Sequence, residues 1–183
     1  MGDVQDVSLP QLVFLVFAAL FLLGSGLWLL VPAWHGVPWI PARRERIRKA
    51  LELAKLQPGE TLYDLGAGDG RVLMMAAEEF GAQAVGIEAG PAQCLWGRLK
   101  CLFSGSRRRV RIRCGDFYRA DVSAAQVVFV YLTSTQTARL EEKLARELRP
   151  GARVVSLAAD FPGWQPAAVD RESLIFLYEM PYI

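Results

Sequence analysis

The sequence predicts an α/β domain, a mostly parallel sheet with helices on both faces, preceded by one transmembrane helix. Three observations carry this. An uncharged apolar run lies near the amino terminus, strand-like and helix-like segments alternate after it, and a glycine-rich turn follows the first strand. The chain has 183 residues, 21 Lys+Arg and 19 Asp+Glu, for a formal net charge of +2; 52% is hydrophobic and 22% charged. Such a composition excludes collagen-like and acidic disordered chains. The small net charge argues against a general polyanion binder. Three segments are expected: an anchor over 1–34, a linker and pre-domain helix over 35–60, and the α/β domain over 61–183.

Residues Val7 to Ala42 hold no Asp, Glu, Lys or Arg. Within them, Leu12 to Val31 is almost wholly apolar, and at about 1.5 Å per residue such a helix crosses a hydrocarbon core of about 30 Å. Gly24, Ser25 and Gly26 would weaken a helix in water but are tolerated in lipid, where an unpaired backbone group is far costlier. Trp28 and Trp34 lie near the downstream end, as interfacial aromatics do. A cleaved signal peptide should begin with bases, yet only Asp3 and Asp6 precede the run. A core helix apolar all round would need a larger protein to cover it. A retained anchor, with membrane lipid as its partner, is therefore expected. Arg43, Arg44, Arg46, Arg48 and Lys49 follow the run, so the positive-inside rule places the remainder in the cytoplasm as a single-pass protein. Cys94, Cys101 and Cys114 agree with a reducing compartment, being odd in number and lacking a CxxC pair. Cys94 and Cys101, seven apart in a helical stretch, should share a buried face. His35 reads as interfacial rather than catalytic.

Val37-Pro38-Trp39-Ile40-Pro41 is a stiff linker. Arg43–Leu56 carries Ile47, Leu51 and Ala54 at helical spacing. Strands are expected at Thr61–Asp64, Ala84–Glu88, Val110–Cys114, Val127–Tyr131 and Arg153–Leu157. Helices are expected at Arg71–Phe80, Pro91 to about Phe103, and Thr135–Leu148. Short apolar strands between such helices read as βαβ units of a parallel sheet. Ser173–Tyr178 reads as a last strand, antiparallel because too few residues precede it for a helical crossover.

The chemistry concentrates at the first turn, Asp64-Leu65-Gly66-Ala67-Gly68-Asp69-Gly70-Arg71. Ligands of such sheets bind at the carboxyl ends of the strands, and glycines allow close approach and positive φ. Glu88 ends the second strand and can accept from both ribose hydroxyls. A dinucleotide site wants a small residue where Arg71 stands and presents a helix N-terminus to a pyrophosphate, beside which Asp69 would be repulsive. A ligand with an ammonium and a sulfonium suits Asp64 and Asp69 instead; S-adenosylmethionine (SAM) is that ligand. Gly115-Asp116-Phe117 follows the third strand. Asp116 can accept from an adenine amino group and Phe117 can pack on the ring, although Asp116 also suits a plain turn. Metal-ligand spacing is absent, so no metal is expected.

These motifs resemble the class I SAM-dependent methyltransferases over roughly residues 38–166. More narrowly, the chain resembles the membrane-associated protein-lysine methyltransferases of the ATP synthase c-subunit and adenine nucleotide translocase, with their prokaryotic relatives. The likeness rests on Val37–Pro41, Leu51-Glu52-Leu53-Ala54-Lys55, Tyr63 to Arg71, Ala84 to Glu88, Tyr131-Leu132 and Leu148 to Ser156. It implies a Rossmann-like class I methyltransferase sheet. It also implies that Asp64, Gly66 and Gly68, with Ala67, Asp69 and Gly70 in the same loop, hold the methionine end. Glu88 would hold the ribose, and Asp116 and Phe117 the adenine. The implied substrate is a protein lysine near a membrane, with the mitochondrial inner membrane as an alternative location. Thr133-Ser134-Thr135 departs from the apolar residue and proline expected after Tyr131-Leu132, and the final strand pair looks shortened.

Methyl transfer is an in-line displacement to which an enzyme mainly contributes alignment. A lysine with a reference pKa of about 10.4 must lose its proton before it attacks. Tyr131, ending the fourth strand, is the best-placed polar group to line an acceptor channel, or else a strand-end aromatic packed on the sheet. No NPPY-like signature follows it, which disfavours adenine or glutamine amide acceptors. Other readings are a methyltransferase of a lipid or small amphiphile, and a silent SAM-binding membrane protein. The run Arg107 to Arg113 has three readings: protection of an edge strand, contact with anionic lipid, and RNA binding. Nucleic acid is the least expected partner.

Overall fold

The computed structural model describes residues 8–34 and 40–181. Asp3, Asp6, His35 and Val37–Trp39 lie outside the described residues, as do the side chains of Trp28 and Trp34. The chain divides into two compact units, Met1–Ile40 and Pro41–Ile183.

The first unit contains α1, Leu9–Trp34, a helix of 26 residues. Its Leu9–Gly26 stretch is long and apolar enough to cross a membrane. The helix runs unbroken through Gly24, Ser25 and Gly26, and the Ser25 hydroxyl donates to the Phe21 carbonyl at 2.6 Å. That bond satisfies the hydroxyl within the helix itself.

The second unit is a sheet of seven strands. In chain order it comprises α2 (Arg44–Leu53), β1 (Thr61–Leu65), α3 (Arg71–Glu79), β2 (Gln83–Glu88) and α4 (Pro91–Phe103). Then follow β3 (Val110–Cys114), β4 (Val127–Val130), α5 (Ser134–Glu147), β5 (Arg153–Leu157), β6 (Ala168–Asp170) and β7 (Ile175–Glu179). The spatial order is β3-β2-β1-β4-β5-β7-β6. β1 to β5 pair in parallel, and β7 lies antiparallel to β5 and β6. The antiparallel last strand follows the expectation. β6, a strand of only three half-exposed or exposed residues, Ala168-Val169-Asp170, does not stand out in the sequence, yet it completes the final pair that looks shortened there.

Alternation of side chains across each strand divides the core in two. Leu62, Ala84, Val127, Phe129 and Val155 face α2, α3 and α4. Tyr63, Val85, Ile87, Val128 and Val154 face the α5 side, where Leu140 and Leu144 meet them. Central strands β1, β4 and β5 are thus buried at nearly every residue. Ile47, Ala50 and Leu51 of α2 are fully buried, so this helix is part of the second unit's core. The sheet order reverses at β1, which has β2 on one side and β4 on the other. That switch opens a crevice at the strands' carboxyl ends.

Two cysteines overturn the sequence reading. Cys94, on α4, and Cys114, ending β3, form a disulfide with a Cα separation of 5.8 Å. Twenty residues separate them in sequence, but β3 lies beside β2 and returns the chain to the start of α4. The thiol pattern therefore gives no support to a reducing compartment. Cys101 is free and buried, and it does share the inner face of α4 with Cys94.

Gly86 shows how tightly the sheet meets its helices. A Cβ there would lie 2.5 Å from Leu73 Cδ1 and 2.6 Å from the Ala67 Cβ, which is fixed to the backbone. Gly86→Ala is expected to destabilise the second unit by about 1–3 kcal/mol, as overpacking does, read as a lowered urea midpoint at unchanged slope.

Candidate functional site

β1, β2 and β3 end level with one another: Leu65 lies opposite Ile87, and Ile87 opposite Arg113. The chain then turns sharply after β1. Gly66 and Ala67 both donate N–H to the Ile87 carbonyl, at 2.9 and 3.1 Å. Gly66, Gly68 and Gly70 have φ of 99°, 54° and 78°, so only glycine takes this path without strain. Gly97 of α4 packs directly beneath; a Cβ there would lie 3.2 Å from the Gly68 carbonyl oxygen. Sequence reading missed Gly97, whose only signal is a glycine inside an otherwise good helix.

Glu88 joins the loops that close this turn. One carboxylate oxygen accepts from Gly68 N and the other from Gly90 N, each at 2.7 Å. Each oxygen keeps a second lone-pair direction. Beside it, Gln93 Oε1 is buried and without a hydrogen-bond partner among the described residues. A buried acceptor of this kind needs a donor, and a bound nucleoside brings hydroxyl and amino donors. The glycine cradle, the half-used carboxylate and this orphaned acceptor together fit SAM.

The two loop acids differ sharply. Asp64 is buried, and its carboxyl is pushed well above the usual range, first by burial and then by the charges of Glu88 and Asp69. Asp69 is buried too, and burial raises its carboxyl, but hydrogen bonds from Arg71 and Lys100 outweigh that and hold it at about 2. Arg71 reaches Asp69 through Nε and Nη2, both at 2.9 Å, and also donates to the Ala42 carbonyl at 2.9 Å. Lys100 Nζ lies 2.6 Å from the same carboxylate. The sequence suggests that Asp69 offers its charge to a ligand. The structure commits that charge to Arg71 and Lys100, which tie the loop to α4 and to the chain entering the domain.

The remaining expected residues fall around this centre. Asp116 Oδ1 accepts from Tyr118 N at 2.8 Å, so it does build a turn, and its second oxygen lies on the exposed side, 3.8 Å from Arg119 Nε. Gly115 N donates to the Glu88 carbonyl at 2.9 Å, which holds this turn to the end of β2. Phe117 is buried in the core and stacks obliquely on Tyr118 with ring centroids 4.5 Å apart. Tyr131 directly follows β4 and packs partly against the α2 side of the core, with the Arg46 guanidinium 5.9 Å above its ring. Arg46 also donates two hydrogen bonds to the Ser173 carbonyl, at 3.0 and 2.7 Å. Nothing in the sequence distinguishes it from its basic neighbours. Ala158, just past β5, has φ 69° and donates to the Leu174 carbonyl at 2.8 Å, an uncommon conformation for a residue with a side chain. The divergent Thr133 starts α5: Gln136 Oε1 accepts from its N–H and its hydroxyl, both at 3.1 Å. Among the described residues there is no cluster able to hold a metal.

A glycine cradle and a clasping carboxylate at the switch point of this sheet define the SAM-dependent methyltransferase fold. A Salinibacter ruber structure, described as an RNA methyltransferase in complex with S-adenosylhomocysteine, superposes with a TM-score of 0.75 at 36% identity, over 78% of this chain and 94% of that one. A Geobacter sulfurreducens SAM-dependent methyltransferase with the same ligand matches at 25% identity and a TM-score of 0.59, over 71% and 53%. The ANTKMT methyltransferase domain profile matches residues 64–168, and the chain belongs to that family. A Saccharolobus islandicus protein-lysine N-methyltransferase is 37% identical over 73% of this chain and 83% of its own length. The Xenopus laevis lysine N-methyltransferase of the ATP synthase c-subunit is 29% identical, over 79% of this chain and 64% of that protein. The adenine nucleotide translocase lysine N-methyltransferase of Mus musculus is 35% identical, over 76% and 60%. The match thus spans less than two thirds of these two animal relatives. The chain is a SAM-dependent methyltransferase.

Asp69→Asn is expected to cost about 2–3 kcal/mol, since it leaves two cations facing a neutral amide. The carboxyl is depressed in the folded state, so its contribution is complete above the unfolded value of 3.8 and is lost as pH falls toward about 2. Urea titrations should show wild type losing its advantage over Asp69→Asn across that window.

Proposed function

We propose that this chain is a membrane-anchored protein-lysine N-methyltransferase, with α1 as a single span and a membrane-proximal protein as its substrate. The observation that carries the reading is the carboxylate-clasped glycine loop at the ends of β1 and β2, in a chain of this family. Gly66, Ala67, Gly68 and Gly70 offer backbone to the methionine end, with Asp64 facing its ammonium and Asp69 holding the loop in shape. Glu88 takes the ribose hydroxyls on its free lone pairs. Asp116 takes the adenine amino group, with Phe117 supporting the floor. When bound, SAM supplies a methyl group on a sulfonium. Tyr131 lines the acceptor channel, and Arg46 above it disfavours a second cation there. A lysine entering that channel is pressed toward the neutral amine that can attack.

A second reading, methylation of RNA, draws on the Salinibacter ruber description and on the arginine run. Incubation of the full chain with methyl-labelled SAM and membrane extract separates the readings. The proposal expects label on lysine in protein. Label in RNA would replace it with the second reading, and label in the organic phase with a lipid acceptor. Glu88→Ala should weaken SAM binding on the order of 10–100-fold, the loss of charged hydrogen bonds, and remove label in proportion.

Asp64 gives this binding a pH signature. Its carboxyl is raised in the folded state, so stability falls as pH climbs from the unfolded 3.8 through the raised value. An ammonium beside it favours ionisation, and SAM binding should release a proton below that raised value. Calorimetry in two buffers of different ionisation enthalpy checks this: unequal heats are expected in wild type and equal heats in Asp64→Asn.

A further inference from the structure

We propose that the outer face of α4 and the arginine turn after it form a membrane-docking surface of the catalytic unit, seated on anionic lipid. α4 is apolar on two sides. Gln93, Cys94, Gly97 and Cys101 point inward and are buried. Leu95, Trp96, Leu99, Leu102 and Phe103 point outward and are 60%, 51%, 39%, 61% and 90% exposed. Their spacing, i, i+1, i+4, i+7 and i+8, gathers them into one stripe. A groove of about 420 Å³ lies alongside, lined by Met74, Trp96, Leu99, Lys100, Phe103 and Ser104. Apolar side chains scattered singly need no explanation, but a contiguous stripe marks a contact surface.

Charge identifies the occupant. Residues 91–113 contain seven bases and no acid. Exposed Arg98 flanks the stripe and exposed Arg107 and Arg108 follow its end, while Lys100 on the other flank is held by Asp69. Arg111 and Arg113 project from β3, the sheet's edge strand, while Val110 and Ile112 point inward. They also discourage another strand from pairing there. Leucine, tryptophan and phenylalanine ringed by bases are what an interfacial helix presents to acyl chains and anionic headgroups. RNA would satisfy the arginines but leave Leu95, Leu99 and Leu102 uncovered. A symmetric contact with a second copy would set the same bases against themselves. The inner side of α4 carries Gly97 beneath Gly68, so the docked face is the outer wall of the cofactor loop.

The test places a photoreactive benzoylphenylalanine at Phe103 in the full chain, and at exposed Glu142 of α5 as the comparison. Vesicles of phosphatidylcholine, with and without phosphatidylglycerol, are the probe, and SAM binding confirms that each variant is folded. Lipid adducts are expected at Phe103, raised by phosphatidylglycerol and absent at Glu142. Arg107→Glu removes a base and adds an acid, so it should lower the yield about 25-fold, about fivefold for each unit of charge near an anionic surface. Equal yields at the two positions, adducts to a second copy or to added RNA in place of lipid, or indifference to Arg107→Glu would each overturn the proposal. The inference does not rest on α1: extraction of the chain by alkaline carbonate would defeat the anchor and leave adducts at Phe103 untouched.

Discussion

The Asp69 carboxylate, buried between Arg71 and Lys100, is the contact on which the cofactor site depends. Taking a lone carboxylate out of water costs several kcal/mol. Two cations within 2.9 Å offset that cost and draw three parts of the chain to one point. Lys100 brings α4, Arg71 brings the start of α3, and the second bond from Arg71 brings Ala42. With α4 fixed, Gly97 can sit under Gly68 with almost no space between them. Gly68 N is then aimed at Glu88, and the ends of β1 and β2 are clasped. The loop's unusual backbone is thus held from below by packing and from the side by charge.

Much of this was legible because its signals are local. Apolar strands between helical segments, the glycine turn and the acid ending β2 are each read from a few neighbouring residues. The same holds for Arg111 and Arg113 alternating with Val110 and Ile112 on an edge strand. What escaped depends on contacts between distant segments. Asp69 reads as a free acid until Lys100, 31 residues away, arrives beside it. Cys94 and Cys114 look unrelated until the β2–β3 pairing brings them together. β6 is three residues long and takes its order from β7 rather than from any pattern of its own. Arg46 gains its place over Tyr131 only because α2 packs on the same face of the sheet.

The disulfide and the arginines bear differently on where the second unit resides. Bases after an apolar span favour the cytoplasmic side, whereas a disulfide is rare in a reducing cytosol outside some hyperthermophiles. The bond joins the start of α4 to the residue just before Gly115-Asp116. The bond therefore ties the turn proposed to hold adenine to α4, the wall of the glycine loop.

On the proposed reading, membrane contact also addresses the difficulty of the acceptor. A lysine in water is an ammonium, and only its small neutral fraction can attack a sulfonium methyl. Confinement at a bilayer raises the encounter frequency with membrane proteins without any new contact in the site. A poorly hydrated surrounding favours the neutral amine further, and the Arg46 guanidinium over Tyr131 acts in the same direction. A span alone would leave the catalytic unit free to turn on its tether. A second contact through α4 restricts that rotation, so fewer encounters are lost to a crevice facing the wrong way. Anchor and docking face then do separate jobs, one setting concentration and the other orientation.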